Sequence, residues 1–390
     1  MTSTRPHLPT PPPDAVAHSA RVLAHLREQI VSAGGWIDFA SFMEGALYAP
    51  GLGYYTAGAQ KFGSAGDFVT APEMTPLFGQ ALATQVAEIT AQSAARVIEA
   101  GGGSGRLAAD LLLALEASDA LPEQYALLEL SPDLRERQRA TLTTAAPHLL
   151  DRVVWLDCLP ERFSGVVLAN ELLDAMPVHV VAWRESGIFE RGVALDAAGT
   201  FVWCERPATG ELLVAAESIA GETPLPAGYQ SEVALAAPRW VAEWGRILDQ
   251  GALLLIDYGF PRHEFYHPQR DGGTLMCHYR HLAHPDPFQL PGLQDITAHV
   301  DFTALIAAGH PAGLDLLGYS TQASFLTQCG ILDRLASCES GSQAYLRAAG
   351  AVNRLLMPHE MGEAFKVMAL GRGIGQPLLG FRSGDQSHRL

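Results

Sequence analysis

Positive charge is scarce in this chain. Lysine and arginine number 26 among 390 residues, against 42 aspartates and glutamates, which leaves a formal net charge of −16. A phosphate backbone demands a basic surface, so nucleic acid is not an expected partner, whereas a basic protein would be attracted. Cysteine is sparse as well. Cys158, Cys204, Cys277, Cys329 and Cys338 form no CxxC pair and no metal-like spacing. No disulfide framework or cysteine-bound metal is expected, and a reducing intracellular compartment is the simplest home. His263, His267, His278, His281 and His284 are irregularly spaced with no cysteine or acid to complete a set, so they too read as surface or stacking residues. Long apolar runs are missing: the best, GALLLI, has the length of a buried strand, so no membrane span is expected. The opening residues, MTSTRPHLPTPPPDAV, lack the apolar centre of a secretory signal and do not resemble an import peptide. The expected setting is the cytoplasm of a bacterium.

What the chain does carry is a glycine turn. Residues 97–105 read VIEAGGGSG: an apolar strand ends in an acid, Gly101, Gly103 and Gly105 follow at alternate positions, and the helical run LAADLLLAL comes next. Glycine there permits a sharp turn and lets main-chain N–H groups approach a ligand, with the positive end of the helix aimed at the same space. A turn without a ligand is the alternative reading. A second apolar strand, YALLEL, ends in Glu129, 24 residues after Gly105. An acid at that tip accepts hydrogen bonds from ribose hydroxyls, or caps the next helix. Two further strands, RVVWLD and GVVLANELLDAMP, lead to Asp157 and to Asn170, Glu171 and Asp174. In a parallel sheet all carboxyl ends share one edge, so the four tips predict a single crevice in an α/β, doubly wound fold.

Charge decides which ligand suits that crevice. A dinucleotide fingerprint reads G-x-G-x-x-G and serves a pyrophosphate. Here the spacing is G-x-G-x-G, and Glu99 two residues ahead would repel phosphate. The ligand should therefore lack phosphate and carry positive charge. S-adenosylmethionine, with a sulfonium, an amino group, a ribose and an adenine, fits both conditions.

At these residues the chain resembles a class I S-adenosylmethionine-dependent methyltransferase. The resemblance implies that Glu99, Gly101, Gly103 and Gly105 line the methionine portion, Glu129 the ribose and Asp157 the adenine edge. Further segments narrow the likeness to the MidA-like family, which includes the mitochondrial complex I assembly methyltransferase. They are GDFVTAPEMTPLFGQ, LANELLDAMPVH, LIDYG, LPGLQDITAHVDF and MGEAFKVMALGRG, in order over roughly residues 35–373. Within GDFVTAPE the resemblance implies that Asp67, Thr70 and Glu73 close over the cofactor. Helix capping is the structural alternative for Thr70 and Glu73. At Gly102 and Ser104 the chain departs from the proline and arginine common in the family's loop.

The organisation follows from composition and punctuation. Residues 1–18 form an expected disordered lead, and 19–90 a helical and lid segment whose first two helices break at Gly34 and Gly35. Residues 91–180 and 236–390 make the cofactor-binding core. Alternating residues over 181–235 predict an antiparallel β insertion, and 260–302 is a loop-rich insertion expected to lie over the crevice. The two segments GLDLLGYSTQ and AFKVMALGRG supply the final strands, the last antiparallel as the class I resemblance implies.

Two loops carry the candidate chemistry. Glu171 and Asp174 are three apart, and one helical turn would put both on one face, placed to clamp a guanidinium. A cofactor contact or a cap is the alternative for Glu171, and a cap for Asp174. Asp295 and His299 are four apart and on a helix would form a carboxylate-oriented imidazole, or else a structural pair. The expected activity is methyl transfer to a protein arginine, with a respiratory complex I subunit as the partner implied by resemblance. A small-molecule methyltransferase and a non-catalytic assembly factor are the alternatives.

Overall fold

The computed structural model describes residues 8–57 and 70–390. The chain divides into two units, one drawn from residues 70–173, 238–259 and 302–390, the other from 8–57, 174–237 and 260–301.

The first unit is built on seven strands: β1 (Arg96–Ala100), β2 (Gln124–Leu128), β3 (Val153–Leu156), β4 (Phe163–Asn170), β5 (Leu248–Phe260), β6 (Asp315–Thr321) and β7 (Phe365–Arg372). They lie in the order β3-β2-β1-β4-β5-β7-β6. The first five are parallel, and β7 runs antiparallel to both its neighbours, as expected for the final strand. The sequence dictates this placement. Val166–Ala169 on β4 and Ala252–Ile256 on β5 are unbroken apolar runs and almost fully buried, which requires cover on both sheet faces. Helix Pro76–Thr90 supplies part of that cover through Phe78, Leu82, Val86 and Ile89, and helix Arg106–Ala117 through Leu107, Leu111, Leu112 and Leu115. Their close approach depends on Gly79, where an added Cβ would stand 2.8 Å from the Cβ of Asp110.

Strand order reverses at β1, since β2 and β3 lie on one side of it and β4 and β5 on the other. In open α/β sheets such a reversal marks the place at the carboxyl edge where a ligand binds, here beside the turns that follow β1 and β4.

The second unit centres on an antiparallel sheet of Val178–Arg184, Gly187–Leu195, Phe201–Pro207 and Gln230–Ala234. The span 181–235 lies within this sheet, which begins at Val178 and has two further parts. A helix, Gly210–Glu222, interrupts it, and a fifth strand, Trp36–Asp38, joins it from far upstream. Helix Pro13–Ser32 begins inside the span expected as a disordered lead, with Pro13 at the first helical position, where a missing N–H costs nothing. Gly34 and Gly35, at φ +77° and +91°, end that helix as expected. The loop-rich stretch after residue 260 holds a small three-stranded sheet of Met276–Tyr279, Leu282–His284 and Asp295–Thr297. Among the described residues no helix is long and apolar enough to cross a membrane.

One side chain fastens the far end of β7. The Arg372 guanidinium donates to the carbonyls of Gly313 (3.0 Å), Leu248 (2.6 Å), Gly245 (2.8 Å) and Ala312 (2.7 Å). Arg372→Met keeps the stem and removes every donor, so urea denaturation should show a loss of about 2 kcal/mol, the cost of stranding partly buried acceptors. An unchanged midpoint would mean that water replaces the guanidinium freely.

Candidate functional site in the parallel-sheet unit

The turn after β1 is made by main chain alone. Gly101, Gly103 and Gly105 take φ of +71°, +50° and +82°, a region that L side chains rarely occupy. Space forbids substitution as well. A Cβ on Gly101 would stand 2.8 Å from Leu172 Cδ1, and one on Gly105 2.8 Å from the Cα of Gln138. Gly105 precedes helix Arg106–Ala117 with no side chain to cap it, and the Arg106 N–H donates instead to Ser104 Oγ at 3.4 Å, leaving the positive end of the helix turned toward the glycine loop. At Gly102 a Cβ would meet Leu127 Cδ2 at 2.6 Å, so the proline common in the family would displace that methyl group. Ser104, where the family commonly has arginine, donates its hydroxyl to Glu73.

Buried acids stand behind this turn. Glu99, 3 % exposed, accepts the Tyr125 hydroxyl at 2.6 Å. Burial pushes its carboxyl up to about 7, with the Tyr125 bond pulling back and the charge of Glu129 adding to the rise. Glu129 accepts the Ser131 N–H (2.9 Å) and the Gln138 amide (3.2 Å), and burial raises it too. Gln138 ties these parts together. Its Nε2 also donates to the Gly103 carbonyl at 3.2 Å, and its Oε1 accepts the Trp155 indole N–H at 3.0 Å. Sequence reading missed it, because one glutamine on a polar helix carries no signal. Asp157, just past β3, is 86 % exposed and paired with Arg135 at 2.8 Å.

The loop after β4 completes the edge. Asn170 Oδ1 is buried without a hydrogen-bond partner, while its Nδ2 donates to Glu171 at 3.2 Å. Glu171 has φ +51°, a conformation costing a non-glycine residue about 1 kcal/mol. Its N–H donates to the Ile256 carbonyl (2.9 Å), and its carboxylate accepts the Ala71 N–H (3.3 Å). The short helix Ala71–Met74 thus contacts the β4 loop through Ala71 and the glycine turn through Glu73. Thr70 sits at its N-cap without a side-chain bond, and Thr75 caps the following helix through the Leu77 N–H. Asp67 lies outside the described residues.

The acids expected to pair on helices do not do so. Residues 171–174 form a turn, so no helical face joins Glu171 to Asp174. Asp174 belongs to the second unit, where its carbonyl accepts the Ala298 N–H at 3.0 Å. Asp295 and His299 sit on the short strands Asp295–Thr297 and Val300–Asp301 and the break between them, not on a helix, because extended backbone has no i,i+4 face. Asp295 accepts the Tyr55 hydroxyl at 2.9 Å, and burial, followed by the charge of Asp295, holds that phenol well above its usual range. The His299 N–H donates to Thr274 Oγ1 (3.0 Å), and its ring stacks on Phe260 at 5.3 Å. Among the described residues, Asp38, His179 and Glu190 bring ligating atoms within 4.8 Å of one another. Both oxygens of Asp38 already hold Ser41, and His179 bonds Glu190 at 2.6 Å, so these contacts account for the grouping.

Comparison with known proteins gives this geometry a family. Residues 77–320 match the family described as "Putative S-adenosyl-L-methionine-dependent methyltransferase". The chain belongs to this methyltransferase family. A Burkholderia thailandensis protein solved with bound S-adenosyl-homocysteine is 53 % identical and superposes with a TM-score of 0.95 over 98 % of this chain and 100 % of that one. The protein arginine methyltransferase NDUFAF7 of Danio rerio is 30 % identical over 90 % of this chain and 86 % of its own length. Its Homo sapiens counterpart is 29 % identical over 90 % of this chain and 83 % of its own.

The fold is that of class I methyltransferases, and the cofactor is S-adenosylmethionine. The residues fit that molecule. Bare main chain lines the turn, an unused acceptor waits at Asn170, and buried acids favour a cation over a phosphate.

The position of Glu99 makes cofactor affinity depend on pH. A neutral acid no longer favours a sulfonium, so calorimetric affinity for S-adenosylmethionine should fall as pH drops from about 8 to about 6. S-adenosylhomocysteine, which lacks the sulfonium, should show a shallower slope, and Glu99→Gln should flatten the first. The free protein moves the other way. Its raised carboxyl contributes stability fully below the ordinary 4.5 and loses it as pH rises through 7, so Glu99→Gln should help most above 7. Equal slopes for both ligands would remove Glu99 from cofactor recognition.

Proposed function

We propose that this methyltransferase modifies an arginine side chain of a protein, with a subunit of respiratory complex I as the candidate acceptor by family resemblance. The observation that carries the reading is Glu171, a carboxylate fixed at the tip of β4 in a left-handed conformation beside the unpartnered acceptor of Asn170. Backbone strain of that kind accumulates where a side chain must be aimed. The NDUFAF7 relatives, named as arginine methyltransferases, support the same acceptor.

S-adenosylmethionine supplies an electrophilic methyl group on a cationic sulfur. The chain supplies position and field. Glu99 and Glu129 favour the cation through buried negative charge, and Gln138 keeps the glycine turn in place. Glu171 accepts guanidinium N–H groups in a charge-assisted bond, which orients the planar acceptor and turns one nitrogen toward the methyl group. The transfer would form an N–C bond as the cofactor's S–C bond breaks, S-adenosylhomocysteine would leave, and the methylated nitrogen would give up one proton to water, the in-line approach providing most of the acceleration.

The purified protein, incubated with methyl-labelled cofactor and protein extract, should place label on arginine, as read by mass spectrometry of digested peptides. Glu171→Gln should leave calorimetric cofactor affinity within a few fold and slow transfer by about 100-fold, the usual loss for one aimed electrostatic contact. Label recovered only in small molecules would overturn the arginine reading. Native turnover in the variant would remove Glu171 from the step.

A further inference from the structure

Asp257 is an acid that neither the glycine turn nor the arginine reading uses. It follows the apolar run of β5 and is 1 % exposed. Burying a carboxylate so fully demands partners, and those present are informative. Oδ2 accepts the Leu173 N–H at 2.9 Å, and Oδ1 accepts the Tyr258 N–H at 2.9 Å. The first bond crosses from β5 to the loop after β4. Two residues earlier, the Glu171 N–H donates to the carbonyl of Ile256, the neighbour of Asp257, at 2.9 Å. In the parallel register Ile256 also stands opposite Asn170. The start of this loop is thus pinned to the end of β5 by two hydrogen bonds, at Glu171 and at Leu173, and Glu171 is held there at φ +51°.

On the other side of β5, Asp257 is the antiparallel register partner of Lys366, which is itself buried and donates to the Glu363 carbonyl.

We infer that Asp257 is a positioning residue: through the Leu173 N–H it holds the Asn170–Leu173 loop in the conformation that presents Asn170 to the cofactor. Its carboxylate does not touch the reacting atoms. The loop would otherwise relax toward an ordinary right-handed conformation at Glu171, carrying Asn170 with it. The inference rests on cofactor binding at this sheet edge and is independent of the acceptor.

Calorimetry with S-adenosylmethionine, together with site-resolved hydrogen exchange on the full chain, tests it. Asp257→Ala removes the acceptor and should weaken binding by about tenfold, consistent with loss of a charge-assisted hydrogen bond. Amide exchange should rise at Glu171 and Leu173 and stay native at Val167 in the middle of β4. Asp257→Asn keeps one acceptor oxygen and should fall between the two. It also provides the reading if the alanine variant does not fold. Asn170→Ala should weaken the same affinity, and the double variant should bind no worse than about the weaker single, because both changes act through one loop. Native exchange at Leu173, multiplicative losses in the double variant, or an exchange increase spread over all of β4 would each overturn the inference. None of these readouts involves methyl transfer, so failure of the arginine proposal leaves them intact.

Discussion

The rest of the site depends on negative charge being kept out of water next to uncovered main chain. A buried carboxylate is unfavourable by itself, and Glu99 shows the strain as a raised proton affinity. Tyr125 offsets part of the cost for Glu99, while Ser131 and Gln138 do so for Glu129. The remaining imbalance is what a cation relieves. Beside these acids, glycines with positive φ leave amides and carbonyls uncovered, and the backbone of Gln138 and the side chain of Leu172 fill the space a side chain would need. A phosphate would be repelled there, whereas a sulfonium would be welcome.

The division of the chain into two units separates two kinds of polar group. In the parallel-sheet unit the glycine turn, the β4 loop and helix Ala71–Met74 are linked to each other by hydrogen bonds. Mutual support of this kind keeps a cofactor site in shape, since a small displacement of any contact weakens the others. In the second unit Asp295 accepts the Tyr55 hydroxyl, and His299 lies flat on Phe260. Those contacts fix side chains within a region with little regular structure, which would otherwise lose the most conformational freedom on ordering.

Much of this was legible beforehand. The apolar runs of β1, β4 and β5 could only be buried strands, and glycines at alternate positions after an acid could only be a tight turn. The final antiparallel strand followed from the class I resemblance. Less was legible where backbone state had to be assumed. Spacing of three or four residues suggests a shared face only on a helix, and at Glu171–Asp174 and Asp295–His299 the backbone is a turn and a pair of short strands. Trp36–Asp38 was missed for another reason, since three residues cannot announce a partner more than a hundred positions away.

Sequence alone determined the sheet, the bare turn and the sign of charge around it, because these depend on residue type and local order. Tertiary structure decided which acids belong together. It set Gln138 against both Glu129 and Gly103, brought Glu73 to Ser104, and put Asp257 behind the loop that carries Glu171. All but the Gln138–Glu129 bond join residues more than thirty positions apart, and their geometry exists only once the strands have paired in register.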